Sequence, residues 1–239
     1  MERLKKALKQ FGYEPENRRL DEILQKFEIY MNKILEYNEN VNLTAITDRQ
    51  EFIDKHYIDS VCCISDPRWR RAKTVCDVGT GAGFPGVPLA ILCPEKEFVL
   101  MDSLNKRIKI INEICEEIGL ENVKAVHGRA EDLARDEKYR QTFDICVSRA
   151  VSRLSVLSEY CLPFVKKGGY LFSYKGADVD EEVTDASKAL KILSAQVEEI
   201  FTPDLEKYNM SHVILIIKKT GNTPAKYPRK AGVPSKMPL

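Results

Sequence analysis

The sequence predicts an α/β fold in which a doubly wound, mostly parallel seven-stranded sheet follows an N-terminal helical cap. Three observations carry this. From Lys73 onward, short strand-like runs alternate with helix-like runs, so parallel strands are joined by right-handed crossovers. The first of those strands, Thr74–Val78, runs into the glycine-rich stretch Gly79-Thr80-Gly81-Ala82-Gly83-Phe84-Pro85-Gly86. Residues 1–64 instead repeat apolar side chains at three- and four-residue steps.

In the cap, Leu20, Ile23, Leu24, Phe27, Tyr30, Met31, Ile34 and Leu35 form one apolar stripe of an amphipathic helix, which the turn formers Asn38–Asn42 end. Asp48, with Glu51 three residues later, predicts a capping box for a second helix carrying Phe52, Ile53, Tyr57 and Ile58. The strands that follow are Thr74–Val78, Glu97–Met101, Val123–His127, Phe143–Ser148, Tyr170–Tyr174, Ala195–Phe201 and Ser211–Lys218. The helices between them are Pro85–Cys93, Leu104–Ile118, Ala130–Asp136, Arg153–Val165 and Val179–Leu193, with Pro85 placed in a first turn that needs no amide donor. The last two strands have no helix between them and suit an antiparallel hairpin at one edge. The domain reading is a cap over 1–64, a catalytic-type α/β domain over 65–220 and a basic, proline-containing arm over 221–239.

Composition narrows the class. A hydrophobic content of 44% with 31% charged residues in 239 residues is that of a globular chain, and no apolar run approaches the ~18 residues of a membrane span. The seven cysteines include no C-x-x-C pair and fall in apolar patterns, so the expectation is buried free thiols, no metal and a reducing, cytoplasmic setting. The net charge of +1 hides an asymmetry. Of 37 basic residues, seven lie in Lys207–Leu239 with no acid among them, leaving 30 against 36 acidic residues elsewhere. A basic end on an acidic body suits a polyanion touched at one place, or a solvated tail.

The glycine loop satisfies G-x-G-x-x-G, a pattern shared with nicotinamide-binding proteins. Asp77 tips the reading. A carboxylate two residues before the first glycine serves no pyrophosphate, but it suits the ammonium end of an amino acid, as in S-adenosylmethionine. Gly79, Gly81 and Gly83 let the backbone turn and approach such a ligand, and Phe84 packs on the ligand or staples the helix start. Asp102 ends the second strand, 19 residues after Gly83, where an acid can take both ribose hydroxyls or cap the next helix. Ala130 and Glu131, after the third strand, are placed beside the adenine; Asp132 fits either a contact or a helix's first turn. The strand–helix order and these sites describe a class I S-adenosylmethionine-dependent methyltransferase, a Rossmann-like fold.

After the fourth strand, Ser148-Arg149-Ala150-Val151-Ser152-Arg153 stands where an acceptor meets the methyl group. It has neither the Pro-Pro-aromatic segment that clamps an exocyclic amine nor the Pro-Cys nucleophile used on pyrimidine carbon, and Cys146 reads as core. The acceptor is then already nucleophilic, as guanine N7 is, and catalysis reduces to positioning and electrostatics. Arg149 fits three roles: a cofactor contact, a fork on guanine O6, or a clamp on phosphate or carboxylate. Lys175, ending the fifth strand, is placed to face the base or its phosphate. His56 and Asp59, one helical step apart, read as a hydrogen-bonded pair pinning cap to sheet, or as part of the guanine pocket.

These segments resemble the bacterial glucose-inhibited division protein B family. The similarity runs from Asn42-Leu43-Thr44 and His56-Tyr57-Ile58-Asp59-Ser60 through Asp77–Gly86, Leu100–Arg107, Arg129–Asp132 and Ser148–Val151 to Tyr174-Lys175-Gly176 and Tyr227–Pro234. The resemblance implies an S-adenosylmethionine-dependent methyltransferase acting on N7 of a guanine in 16S ribosomal RNA of the small subunit. It also implies cofactor contacts at Gly79, Phe84, Ala130, Glu131 and Arg149. The alternative from another class is an S-adenosylmethionine-sensing RNA-binding module without turnover. For the RNA, the expected contacts are Lys226, Arg229, Lys230 and Lys236 in an extended arm, with Lys166 and Lys167 continuing the track of Lys175 at the acceptor end of the sheet. Arg68, Arg70, Arg71 and Lys73 around Trp69 read as a further basic-aromatic cluster or an exposed linker face. Nothing in the sequence demands a dimer, so a monomer is expected.

Overall fold

The computed structural model describes residues 1–149 and 151–239; Ala150, within the predicted acceptor loop, lies outside the described residues. The cap comprises α1 (Glu2–Gln10), α2 (Asn17–Asn38), α3 (Arg49–Phe52), a π-helical stretch Ile53–Ile58, α4 (Asp59–Val61) and α5 (Pro67–Arg71). The α/β part follows as β1 (Thr74–Val78), α6 (Gly86–Leu92), β2 (Glu97–Asp102), α7 (Asn105–Glu117), β3 (Val123–His127), α8 (Ala130–Leu133), β4 (Phe143–Arg149), α9 (Leu154–Cys161), β5 (Val165–Lys175), α10 (Asp180–Ile192), β6 (Ala195–Phe201), β7 (Val213–Lys219) and α11 (Val233–Lys236). The strand order is β3-β2-β1-β4-β5-β7-β6, and only β7, paired with β5 and β6, is antiparallel to its neighbours. The order reverses between β1 and β4, so the ligand crevice lies past the carboxyl ends of those two strands.

Side-chain alternation builds the two cores. Val75, Ile145, Val147, Phe172, Ile214 and Ile216 face the cap, α6 and α7. Cys76, Cys146, Leu171, Leu215 and Ile217 face α9 and α10. A sheet covered on both faces favours strands with apolar residues on both faces, as the centres of β4, β5 and β7 show. On α2, Ile23, Phe27, Tyr30, Met31 and Ile34 are the buried stripe. Asp48 caps α3 by accepting from the Glu51 amide at 2.8 Å. The cap therefore belongs to the same hydrophobic core as the sheet. All seven cysteines are free and buried. Among the described residues, no helix is long and apolar enough to cross a membrane.

Three differences from the sequence reading have local causes. β5 begins at Val165, five residues before the expected Tyr170, because Lys166-Lys167-Gly168-Gly169 forms a bulge within the strand, with Gly168 at φ +85° and a register shift against β4. α9 stops at Cys161, two residues before Pro163, which has no N–H to continue the helical hydrogen-bond ladder. Pro85 caps α6 instead of filling its first turn.

The tail is a strap, not an extended arm. Lys219 is fully buried and donates to the Leu193 and Gly221 carbonyls, and burial pulls its pKa down to about 8. Arg140 donates to the Tyr227 carbonyl at 2.9 Å, and Arg135 to that of Pro228 at 2.5 Å. Arg229 forks onto Glu159, a carboxylate with no exposed surface, at 2.6–3.1 Å. Its backbone amide bonds the same carboxylate. Removing one partner of a buried ion pair strands the other charge at a cost of about 3–5 kcal/mol. Arg229→Ala is therefore expected to lower unfolding stability by about 3 kcal/mol in a denaturant titration, while Lys230→Ala, at an exposed site, shifts it by less than about 0.5 kcal/mol.

Candidate active site

The glycine loop is held from below and from both sides. Asp77 is fully buried, and its Oδ2 accepts from Thr80 Oγ1 at 2.7 Å and from the Gly86 amide at 2.9 Å. Burial pushes its pKa up to about 7, against the pull of those two hydrogen bonds, and Oδ1 is buried without a partner. The Gly79 and Thr80 amides donate to the Met101 carbonyl, and the Gly81 amide donates to Asp102 Oδ2 at 2.9 Å. Gly79 adopts φ +76°, and a Cβ there would stand 2.5 Å from Val151 Cγ2. At Gly83, with φ +88°, a Cβ would stand 2.1 Å from the Tyr30 hydroxyl, which donates to the Ala82 carbonyl. Gly83 thus makes room for the cap rather than for a ligand. Phe84 is also turned into the cap: its ring stacks on His56 at 4.3 Å and meets Phe52 edge-on.

Beside the loop lies a cleft of about 420 Å³ lined by Gly79, Met101, Asp102, Leu104, Ala130 and Glu131, together with Val151, Tyr160, Gly232 and Ser235. Its size is that of a small-molecule site. Asp102 joins loop to helix, with Oδ1 accepting from the Leu104 amide at 2.8 Å and Oδ2 from Gly81. Each oxygen keeps a lone pair for a further donor. The apolar walls Met101, Leu104 and Val151 with one acid at the ribose position fit an adenosyl group. The unpartnered Oδ1 of Asp77 beneath the loop fits a cationic end. Ala130 and Glu131 both line the cleft, but Glu131 Oε1 accepts the Gly232 amide at 2.9 Å, so its carboxylate holds the tail.

The acceptor edge is a knot of charged groups between cap and sheet. Arg149, at the end of β4, donates from Nη1 to Asp59 Oδ2 at 2.7 Å and to the Lys55 carbonyl at 2.8 Å. Its Nη2 donates to His56 Nδ1 at 3.2 Å. That fixes the His56 tautomer: Nε2 carries the proton and donates to Thr44 Oγ1 at 2.7 Å. Burial, then the Arg149 charge, lowers the His56 pKa to about 3, so the ring is neutral. Burial pushes Asp59 up, but bonds from His212 and Arg149 bring it below the ordinary carboxylate range. His212 Nδ1 lies 2.9 Å from Asp59 Oδ1, and this bond raises the imidazole pKa. Of the three roles open to Arg149, the carboxylate clamp is the one formed, and it leaves two of the five guanidinium donors for a ligand. His56 and Asp59 pin the cap through Arg149 and not by bonding each other.

These groups line a pocket of about 370 Å³ with Tyr174, Lys175 and Gly176. Lys175 does not point a free charge at it. Its Nζ donates to the Ser152 carbonyl at 2.7 Å and to Glu182 Oε1 at 2.5 Å, and Glu182 also takes the Leu154 amide. Lys175 therefore shapes the loop after β4. His212, Glu182 and Thr44 were not singled out as site residues in the sequence. Thr44 lies in a segment of the family resemblance, whereas nothing local marks the other two, which are brought in by β7 and α10.

Of the residues expected to meet RNA, Lys226, Lys230 and Lys236 are exposed on the tail, whereas Arg229 is occupied by Glu159. Lys166 and Lys167 open β5, while Lys175 closes it, so they lie toward opposite ends of that strand. They sit at the sheet edge opposite the acceptor pocket and do not continue its track; Lys166 pairs with Asp144. Trp69 is buried and Arg68 bonds Asp66, Glu198 and Glu199, whereas Arg70, Arg71 and Lys73 are exposed, as the linker-face reading has it.

Comparison with known proteins gives a consistent answer. Residues 23–210 match the family model GidB, described as rRNA small subunit methyltransferase G. The chain is 48% identical over 210 residues to the "Ribosomal RNA small subunit methyltransferase G" of Clostridium tetani, covering 88% of each chain. It is 43% identical over 236 residues to the protein of the same name from Alkaliphilus metalliredigens, covering 99% of this chain and 97% of that one. In fold, it resembles a putative O-methyltransferase from Klebsiella pneumoniae, with a TM-score of 0.53 at 12% identity over 80% of this chain and 90% of that one. It also resembles a ribosomal protein L11 methylase from Lactobacillus delbrueckii subsp. bulgaricus, at 0.52 and 16% over 70% and 79%.

The neutral His56 gives a signed prediction. Between about pH 3 and the ordinary imidazole value of 6.5, the unfolded chain binds a proton that the folded chain refuses, so stability falls as pH drops through that window. His56→Gln keeps an uncharged polar side chain and removes this titration. Denaturant melts at pH 7.5 and 4.5 are expected to show unaltered protein losing more stability than the variant; equal losses would place a charged ring at this position.

Proposed function

The chain belongs to the GidB family of rRNA small subunit methyltransferases G, and on that premise we propose that it transfers a methyl group from S-adenosylmethionine to N7 of a guanine in 16S ribosomal RNA. The family match supports the choice of acceptor; among the described residues the end of β4 itself holds no proton-taking group, and such an acceptor does not call on the His212–Asp59 pair across the pocket. There, His56 offers Nδ1 only to Arg149, and Cys146 is fully buried. Guanine N7 has a free lone pair and loses no proton on methylation, so it asks for no general base.

S-adenosylmethionine, bound in the cleft, supplies an electrophilic methyl carried on a sulfonium. The residues Asp77, Gly79, Gly81, Asp102, Ala130 and Arg149 hold it: Asp102 at the ribose, the loop above Asp77 at the amino-acid end, and Ala130 beside the adenine. Gly83, Phe84 and Glu131 act one step removed, by seating the cap and the tail. Arg149 keeps two donors for guanine O6 and leaves N7 open, a fork suited to that edge of the base. Lys175 is a positioning residue that sets the loop at Ser152. Lys226, Lys230 and Lys236 meet backbone phosphates, where each contact adds to the salt dependence of binding. The protein works as a monomer in the cytoplasm on the small subunit or a precursor of it.

The test uses radiolabelled S-adenosylmethionine and small subunits from cells lacking this gene. The expected result is label in 16S RNA, with strand scission at one guanine after N7-specific reduction and aniline, and no label with Gly79→Val, whose side chain collides with Val151. Tight cofactor binding without transfer to any RNA would overturn the assignment in favour of a sensing module.

A further inference from the structure

We propose that the C-terminal segment Gly232–Lys236 is a wall of the cofactor cleft, with Ser235 and Tyr160 as binding residues for the adenosine and Glu131 as the post that positions the segment. The inference rests on the reading of the cleft as the S-adenosylmethionine site. The segment reaches the cleft over a chain of fixed points: the Tyr227 carbonyl on Arg140, the Pro228 carbonyl on Arg135, Arg229 on Glu159 and the Gly232 amide on Glu131. Gly232 turns with φ +80°, the left-handed conformation that suits glycine, and Pro234 buries as α11 begins. This leaves Gly232 and Ser235 lining the cleft opposite Asp102, with Tyr160 of α9 beside them. Ser235 Oγ bonds the Gly232 carbonyl at 3.1 Å, an exchangeable contact for a hydroxyl that can turn to a ligand. Burial raises the Tyr160 pKa, so its phenol stays protonated and able to donate.

The placement gives Glu131 a role unlike a direct base contact. A carboxylate that is 6% exposed and bonded to a tail amide acts on the cofactor through the tail. The same tail exposes Lys236 within this segment and Lys230 just before it. The cofactor and the RNA phosphates would then both meet this one strap.

The experiment measures S-adenosylhomocysteine binding by calorimetry. Unaltered protein is compared with Ser235→Trp, a chain ending at Ala231, Glu131→Ala, Glu131→Gln, and Glu131→Ala combined with the truncation. Ser235 is exposed, so Ser235→Trp is expected to keep its melting temperature while binding at least tenfold more weakly. The truncation and Glu131→Ala are each expected to lose a similar factor and their combination no more, while Glu131→Gln, which can still accept the Gly232 amide, stays within about threefold of unaltered protein. Full affinity in Ser235→Trp and in the truncated chain would overturn the proposal. So would a further loss on adding Glu131→Ala to the truncation, since that would mean a direct contact. Failure of the unaltered chain to bind would instead overturn the reading of the cleft, and the inference with it.

Discussion

The ion pair between Asp59 and Arg149 is the constraint on which the rest of the site depends. A buried carboxylate costs several kcal/mol in lost hydration unless its geometry restores that energy. Here Asp59 receives Arg149 on one oxygen and His212 on the other. The three groups come from the cap, from β4 and from the residue before β7. Closing the pair therefore brings together segments that are 90 and 153 residues apart. Arg149 then dictates the tautomer of His56, and the neutral ring offers a flat face to Phe84 at the head of the glycine loop.

The loop is thus shaped as much by the cap as by the sheet. Asp77 pulls Thr80 and Gly86 down, Asp102 draws in Gly81, and Tyr30 reaches over from α2 to the Ala82 carbonyl. A loop with its amides already committed is rigid before a ligand arrives, so less ordering entropy opposes binding. The acceptor pocket shares this preorganisation, because Lys175 and Glu182 hold the segment after β4 from the other side. Chemistry that needs only alignment of a lone pair with a methyl group gains most from such rigidity.

Much of this was legible in the residues alone. The alternation of strand-like and helix-like runs, the capped α3 and the acid-then-glycine loop announced the sheet, its doubly wound order and the cofactor crevice. What escaped notice shares one cause. Local sequence shows that a residue is charged or aromatic but not which distant residue satisfies it. Arg229 reads as a phosphate contact until Glu159, buried on α9, is seen to claim it. Phe84 and Gly83 read as ligand contacts until the cap supplies His56, from the π-helical stretch, and Tyr30, from α2, as neighbours across the fold. Lys166 and Lys167 read as neighbours of Lys175, but they open the strand that Lys175 ends, so β5 carries them to its other end.

The most direct test of this account is a double-mutant cycle between Asp59 and Arg149, read on the single-turnover rate of methyl transfer to small subunits with saturating cofactor, at a temperature where every variant is folded. If Arg149 acts only in the position Asp59 gives it, Asp59→Asn and Arg149→Gln will each slow the reaction, and the double variant will be no slower than the worse of the two. Losses that multiply would mean that the two residues act independently, and the pair would not be what holds the site together.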